Sequence, residues 1–359
     1  MKKRISAVLL ALALLLSLCG CGPKAAAGGG KTISFTDSCG RKVEIPAKIT
    51  RIAPSGAVAT MILSAIAPAD LVGISATPSS TQYKYLPREF LKLPTFGQLY
   101  GSKSNINLEA LIAAKPQVII DLGDKKDGMA SDLNALQKQA GIPVIFVEAD
   151  LPHMAEAYRT LGTLISGEKD RGEKLAAFVD RTLKMAKENR EKIPQSRRLS
   201  VMYTSGTTGL NTNAKGSVQA QVLDIVGAKN AITVEDVSDR GGGNIVNMEQ
   251  LYAFDPDVIV MAQGGPYAAL PTDKVWNKLK AVRNGKYYEI PGEPYNWMSN
   301  PPSVNMLLGV WWLGNLLYPD VYRYDMKSVA EEFYKLFWNY PLSDGEAAAL
   351  LANSTGKAK

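Results

Sequence analysis

The chain of 359 residues has little histidine and cysteine: one His, at His153, and three Cys, at Cys19, Cys21 and Cys39. One His cannot build a multi-His zinc, manganese or copper site. Three Cys are too few for an all-thiolate zinc or iron–sulfur site, which takes four. A Ser-His-Asp triad would have to use His153, which we expect to lie on the surface at the start of a helix. These counts disfavour most metalloenzyme and hydrolase functions.

Clusters of positive charge are also scarce, although Lys and Arg (41) exceed Asp and Glu (34) to give a net charge of +7. Three of these charges are Lys2, Lys3 and Arg4, and the net charge without the first 20 residues is +4, with no run of five basic residues. We therefore expect no nucleic-acid partner. The hydrophobic share of 46% is that of a globular protein, and the length suggests about two domains.

The N-terminus carries a basic cluster followed by an apolar stretch at 5–18. This stretch has the length of a signal-peptide core and falls short of the ~20 residues of a membrane-spanning helix. It ends in LCGC (18–21), which resembles a bacterial lipobox with Cys21 as the lipidated residue. We expect 1–20 to be a lipoprotein signal peptide and 21–31 a flexible tether. An ordinary signal peptide is the alternative.

From position 32 onward, short β-rich segments alternate with helical ones, a pattern typical of an α/β architecture. Two helical segments in the middle of the chain, 154–165 and 168–192, follow each other closely. The second would be roughly 37 Å long at 1.5 Å per residue, enough to bridge two lobes. The expected strands are 32–37, 42–45, 49–53, 71–74, 118–121, 144–147, 199–203, 258–261 and 287–290.

A short unit occurs twice at an offset of 140 residues, NLEALIAAKPQVII at 107–120 and NMEQLYAFDPDVIV at 247–260, with seven of fourteen positions identical. In each copy Asn would cap a short helix, Glu would lie in its first turn, and Pro would end it before a buried strand. Capping and burial explain half of the identities. One copy in each half of the chain nevertheless indicates two lobes built alike.

The order of these features resembles that of a known family. The lipobox, the tether, TDSCGRKVEIP (36–46), the paired Asn-Leu/Met-Glu units and the bridging helix together resemble substrate-binding lipoproteins of ABC importers, of the iron-siderophore, haem and cobalamin type. The segment WMSNPPSVNMLLGVWWLGNLLYPD (297–320) is similar to that type as well. The resemblance covers nearly the whole chain after Cys21.

The resemblance implies an α/β fold of two similar lobes with a ligand cleft between them, joined by a long bridging α-helix. We expect the N-terminal lobe at 32–150, the bridging helical region at 151–194 and the C-terminal lobe at 195–359. Members of this family deliver a ligand to a membrane permease and perform no chemistry. A Glu on each lobe typically docks onto Arg residues of the permease, and Glu109 and Glu249 fit that role. The alternative is that both merely favour their helix N-termini.

Ligands of open α/β sheets bind at the carboxyl ends of the strands. Tyr295, Asn296 and Trp297 form a loop that is either an aromatic platform for a ligand or a cluster packed under the Pro301-Pro302 turn. Arg240 would meet an anionic chelate or stay solvated. The full set of candidate ligand-binding residues is Ser55, Gly56, Gln98, Leu99, Tyr100, Leu122, Gly123, Thr204, Ser205, Arg240, Gln263, Gly264, Tyr267, Tyr295, Asn296 and Trp297.

The sequence is therefore expected to be that of an extracytoplasmic, membrane-anchored and monomeric binding protein that captures an iron chelate of siderophore type. Its partners would be a permease with its ATPase, and it would hold no cofactor. Cobalamin, haem and an oxyanion such as molybdate are alternative ligands. A lipoprotein enzyme or an adhesin is a further alternative, and the lack of His removes the commonest general base from the enzyme.

Overall fold

The computed structural model describes residues 31–100, 104–238 and 242–355. The expected signal peptide with Cys21, the tether up to position 30, and Arg240 lie outside the described residues. No helix in these three ranges is both long and apolar enough to cross a membrane.

The first lobe begins with an antiparallel hairpin of β1 (Thr32–Thr36) and β2 (Lys42–Pro46). A parallel sheet follows, in the order β3 (Ile52–Pro54), β4 (Val118–Gly123) and β5 (Val144–Glu148). Every residue of β4 is buried. Its alternate residues enter different core clusters, because successive side chains of a strand point to opposite faces. The helices of this lobe are α1 (Ala57–Ile66), α2 (Leu108–Ala113), α3 (Met129–Ala140) and α4 (Met154–Leu164).

One expected strand of the first lobe does not form. The segment 71–74 makes isolated parallel bridges, from Leu71 to Ile52 and from Ile74 to Thr95, instead of a continuous ladder. Leu71 and Ile74 are both buried. The apolar run thus reflects burial beside the edge of the sheet. A short apolar segment has the same sequence pattern whether or not it pairs with a strand.

The bridging helix expected at 168–192 is present as α5 (Lys169–Glu191). Its buried residues recur at helical spacing, among them Leu175, Phe178 and Val179. Helix α5 packs against α4 and α1 of the first lobe, and against α6 (Gln221–Val226) and α9 (Asn305–Leu317) of the second. It therefore holds both lobes.

The second lobe contains a mixed sheet in which β6 (Ser200–Ser205) lies parallel to β10 (Val258–Met261) and β8 (Lys229–Asn230). Strand β11 (Tyr287–Glu289) extends the parallel part beside β10. On the side of β6 away from β10, the carboxyl end of β6 pairs antiparallel with β7 (Asn211–Thr212). Strand β7 in turn pairs antiparallel with β9 (Asn244–Ile245). The other helices of this lobe are α7 (Met248–Phe254), α8 (Lys280–Arg283), α10 (Pro319–Tyr322), α11 (Met326–Trp338) and α12 (Asp344–Leu350).

The repeated unit forms the same short capped helix in both lobes. The side chain of Asn107 accepts a hydrogen bond from the Ala110 N–H at 3.0 Å. The side chain of Asn247 accepts one from the Gln250 N–H at 2.9 Å, and the Gln250 side chain accepts one from the Asn247 N–H at 2.9 Å. The second copy is thus a full capping box, and the first is a one-way cap.

A shared aromatic core joins the lobes. Helix α11 packs against α1 of the first lobe. The ring of Phe337 stacks on Phe333 at 4.3 Å and meets Phe178 of α5 at 5.5 Å and Tyr158 of α4 at 6.0 Å. The fold class expected from the sequence, two α/β lobes joined by a long helix, is confirmed, and helix α11 adds a second connection between the lobes.

Candidate functional site

A cavity of about 750 Å³ lies between the two lobes. The first lobe contributes 55–59 and 121–127 together with Gln98, Tyr100 and Met129. The second lobe contributes Val218, Gln219 and the segment 300–302. The first lobe thus supplies most of the wall.

The wall of the first lobe follows from its parallel sheet. Strands β3 and β4 are neighbours, so their carboxyl ends meet at one edge, where the Ser55 N–H donates to the Ile120 carbonyl at 3.2 Å. The Ser55 carbonyl accepts from the Leu99 N–H at 2.8 Å, and this bond brings the 98–100 segment to the same edge. Three segments that are distant in sequence therefore converge on the cavity.

Asp121 is a buried carboxylate in this wall, only 4% exposed. The Ser55 hydroxyl donates to its Oδ1, while its Oδ2 has no hydrogen-bond partner among the described residues. Burial raises the pKa of Asp121 to about 6, against the lowering effects of the Ser55 bond and of the charge on Lys126. The group therefore titrates close to neutral pH.

The loop after β4 carries charges of both signs. The Lys126 ammonium lies 3.0 Å from Asp124 Oδ1 and 5.4 Å from the centre of the Tyr100 ring. Lys125 and Asp127, next to them, are exposed. This loop presents cations as well as carboxylates to the cavity.

The second-lobe wall comes from two loops. Val218 and Gln219 lie in a turn that precedes α6, and Gln219 is 7% exposed with its Oε1 unpartnered within the described part of the chain. Asn300, Pro301 and Pro302 precede α9. None of these residues comes directly after a parallel strand, so they were not among the candidates predicted from the sequence.

A smaller cavity of about 230 Å³, here called the side pocket, opens beside the first. The two cavities share Ala57, Asn300 and Pro301. The side pocket is otherwise lined by Thr60, by parts of the 74–90 region and by Tyr295.

The structure brings most first-lobe candidates together. Leu99 is the exception, because it packs against a hydrophobic cluster of that lobe. Contact of these residues with a ligand stays a prediction. The candidates that line the cavity are Ser55, Gly56, Gln98, Tyr100, Leu122 and Gly123.

The second-lobe candidates that follow β6 and β10 lie outside the cavity wall, which corrects the expectation. Thr204 is 0% exposed, and its hydroxyl donates to the Gly209 carbonyl. Gln263 is exposed beyond the wall, and Tyr267 packs its ring against Tyr287 at 5.5 Å. Ser205 and Gly264, beside them, do not line the cavity either.

The 295–297 loop splits between two environments. Tyr295 lines the side pocket. The Asn296 side chain accepts from the Met298 and Ser299 N–H groups and fixes a turn. Trp297 is 0% exposed in the core, so of the two interpretations of this loop the structure supports packing, and Trp297 forms no platform.

The two docking candidates and His153 lie at the surface. Glu109 and Glu249 are exposed in the first turns of α2 and α7, and their docking role stays a prediction. His153 has a side chain 54% exposed, as expected, and its hydrogen bond to Asp150 raises its pKa.

Within the described ranges, no group of three or more His, Cys, Asp or Glu is placed to hold a metal ion.

Comparisons with known proteins give consistent matches. Residues 53–294 match a family model described as periplasmic binding protein. A solved ABC transporter solute binding protein from Sulfurospirillum deleyianum is 30% identical, with a TM-score of 0.81, and the match covers 89% of this chain and 99% of that one.

Two curated relatives differ in named ligand. The molybdate-binding protein MolA of Haemophilus influenzae is 23% identical, over 88% of this chain and 93% of that protein. The iron(3+)-hydroxamate-binding protein FhuD of Bacillus subtilis is 26% identical over 57% of this chain, which spans 66% of that relative's length.

Proposed function

Because the chain belongs to the periplasmic binding protein family, we propose that it is the substrate-binding component of an ABC importer and that it captures a ferric chelate of siderophore type. The chelate would bind in the cavity between the lobes and pass to a membrane permease served by an ATPase. The proposal assigns no catalytic step to the protein. The observation that carries it is the inter-lobe cavity of about 750 Å³.

The cavity volume favours a chelate over a bare oxyanion. One water occupies about 30 Å³ in the liquid, so the cavity has the space of roughly 25 waters. A tetrahedral oxyanion would fill only a small part of it. A chelate of several hundred daltons fits the range of about 300–1,000 Å³ that is typical of small-molecule sites.

The cavity chemistry is consistent with a ligand that carries its own metal donors. The one His of the chain, His153, does not line the cavity. Lys125 and Lys126 offer cationic groups to the carboxylate, catecholate or hydroxamate oxygens of an anionic chelate.

Molybdate is the second candidate ligand. The molybdate-binding relative aligns along more of this chain than the hydroxamate-binding relative does. Haem and cobalamin complete the set of ligands to test.

Isothermal titration of the purified protein distinguishes these ligands. The probes are a ferric tris-hydroxamate, ferric citrate, haem, cobalamin and molybdate. We expect one-to-one binding of a ferric chelate, with a dissociation constant in the micromolar range or below, and weaker binding of molybdate. Binding of molybdate alone would replace the proposed ligand, and binding of haem or cobalamin alone would do the same.

Membrane attachment and docking complete the proposal. Lipidation of Cys21 would hold the protein on the outer face of the cell membrane as a monomer, with Glu109 and Glu249 meeting the permease. The variant Cys21→Ser is expected to release the protein from the membrane fraction without changing ligand affinity. A membrane-bound Cys21→Ser protein would contradict the anchor.

A further inference from the structure

The side pocket differs in chemistry from the main cavity that it adjoins. The main cavity is lined by two Lys and three Asp. None of the described residues that line the side pocket is Asp, Glu, Lys, Arg or His. Its apolar wall includes Ile74, Pro78, Leu86 and Phe90, and Ile74 and Phe90 are 1% and 3% exposed.

Some of the polar groups in the side pocket are already bonded within the protein. The Thr60 hydroxyl donates to the Gly56 carbonyl at 2.9 Å and accepts from the Ser75 N–H at 3.1 Å. The Gln82 Oε1 accepts from the Ser79 N–H at 2.8 Å. Burial raises the pKa of the Tyr295 hydroxyl to about 12, and this group stays neutral. The pocket therefore offers an uncharged, mainly apolar surface.

The position of the side pocket ties it to the ligand cavity. Ala57, at the start of α1, and Asn300 and Pro301, in the loop before α9, line both spaces. Both lobes contribute to the side pocket, as they do to the main cavity. Its volume of about 230 Å³ corresponds to roughly eight waters, or an arm of about as many carbon groups.

We propose that the side pocket is a second ligand subsite, which takes an apolar arm of the chelate while its polar, metal-binding head occupies the main cavity. This inference rests on the proposed function and narrows the ligand to an amphiphilic chelate. Burial of the arm would add affinity because each apolar carbon group that leaves water for the pocket contributes favourably to binding.

Two ferric complexes with the same chelating group test this subsite. The probes are ferric acetohydroxamate and ferric benzohydroxamate, which differ by a methyl and a phenyl arm, titrated by calorimetry. We expect the phenyl complex to bind the wild type about tenfold more tightly. Ala76→Trp, at an exposed position of the pocket wall, fills the pocket and is expected to remove that preference while changing the affinity for the methyl complex less than about twofold.

Two further variants serve as controls. Ser80→Trp adds the same ring at an exposed position outside the pocket wall and is expected to keep the preference. Leu86→Asn places an amide in the pocket and is expected to weaken the preference without filling the space. Equal affinity of the wild type for both complexes would overturn the subsite, as would a preference that persists in Ala76→Trp.

A chelate-free measurement separates failure of the subsite from failure of the proposed function. Xenon, an uncharged apolar probe, is expected to shift the methyl NMR signals of Ile74 and Leu86 in the wild type and not in Ala76→Trp. Absence of these shifts in the wild type would overturn the subsite even if both chelates bind. Xenon shifts without binding of either chelate would contradict the proposed chelate function and, with it, the assignment of the pocket to a chelate arm.

Discussion

The two lobes are built from the same repeated unit but contribute differently to the cavity. In the first lobe, the carboxyl ends of adjacent parallel strands supply most of the wall. In the second lobe, β6 continues into antiparallel pairing with β7, and Thr204 at its end is buried in a bond to Gly209. Its share of the wall comes from loops at 218–219 and 300–302. Similar local units thus do not ensure similar ligand-binding surfaces.

Equivalent positions of the repeat show the same divergence. Asp121 and Met261 are 140 residues apart, directly after the two copies, and both end up buried in a central strand. The first lobe keeps a titratable carboxyl there, and the second keeps a thioether. Among the described residues that line the cavity, titratable side chains come only from the first lobe.

Docking is the property in which the lobes are expected to act alike, and it has the largest expected effect. Replacing Glu109 and Glu249 together with Ala should reduce ligand uptake by cells to background, because both of the proposed permease contacts would be lost. Ligand affinity in vitro should stay within about twofold, since both residues are exposed outside the cavity. The single variants Glu109→Ala and Glu249→Ala should lose as much uptake as each other. Full uptake in the double variant would remove the docking assignment.

The pH dependence of stability is expected to differ between the lobes. The pKa of Asp121 is raised from 3.8 to about 6, so the folded state holds this proton more tightly than the unfolded state does. The contribution of Asp121 to the free energy of unfolding therefore falls as pH rises from about 4 to about 6, by up to about 3 kcal/mol, and is constant above that window.

Asp121→Asn removes this titration and can keep the bond from Ser55. Urea denaturation should show the variant gaining stability relative to wild type as pH rises from about 4 to about 6, while Met261→Leu should show no such trend. Lys126, Asp124, Tyr100 and Cys39 interact electrostatically with Asp121 and are unchanged in the variant. A pH-independent difference between Asp121→Asn and wild type would contradict the buried-acid interpretation.

Ligand affinity should reveal the asymmetry of the wall. Tyr100→Ala removes a first-lobe ring that lines the cavity and is expected to weaken chelate binding about tenfold, or about 1.4 kcal/mol. Gln263→Ala, at a second-lobe strand end outside the wall, should change affinity less than about twofold. Calorimetry with the best-binding ferric chelate measures both. Equal losses would mean that the second-lobe strand ends also reach the ligand.

The smallest effect concerns the two helix caps. Asn247→Ala should cost about 1 kcal/mol of unfolding free energy, because the capping box with Gln250 is lost. Asn107→Ala should cost a few tenths of a kcal/mol less, since its cap has one bond. Gln250→Ala should bring the second-lobe cap down to the level of the first. Chemical denaturation of the three variants measures these costs. Equal losses of unfolding free energy in Asn247→Ala and Asn107→Ala would contradict the expected difference.

Much of the fold was predictable from local sequence signals. Apolar runs predicted the central strands β4, β5, β6 and β10 within two residues at each end, and helical spacing predicted α5 within one. The family match confirms the resemblance drawn from the order of the motifs. Segment 71–74 was wrong as a strand because its burial arises from packing beside the sheet edge rather than from a continuous ladder.

The site was less predictable, because it depends on how distant segments meet. Ser55 was predicted because it follows a parallel strand, and Gln98 and Tyr100 were predicted because they precede the first repeated unit. The bond from the Leu99 N–H to the Ser55 carbonyl brings both segments to the same edge of the sheet. Gln219 and the 300–302 turn do not come directly after a parallel strand, so their place in the sequence did not indicate a ligand site. The apolar pattern of β6 did not indicate that its carboxyl end pairs antiparallel with β7. Trp297 illustrates the same limit. Its place in a loop between polar residues suggested an aromatic platform for a ligand, but tertiary packing buries its ring.

Native mass spectrometry of the protein purified from its own host is the direct test of whether the inter-lobe cavity carries a ferric chelate. We expect a single bound species of several hundred daltons that contains iron, has an apolar arm and is lost on unfolding. A bound oxyanion, haem or corrinoid would contradict the chelate, and a ligand that remains attached after unfolding would contradict its place in the cavity.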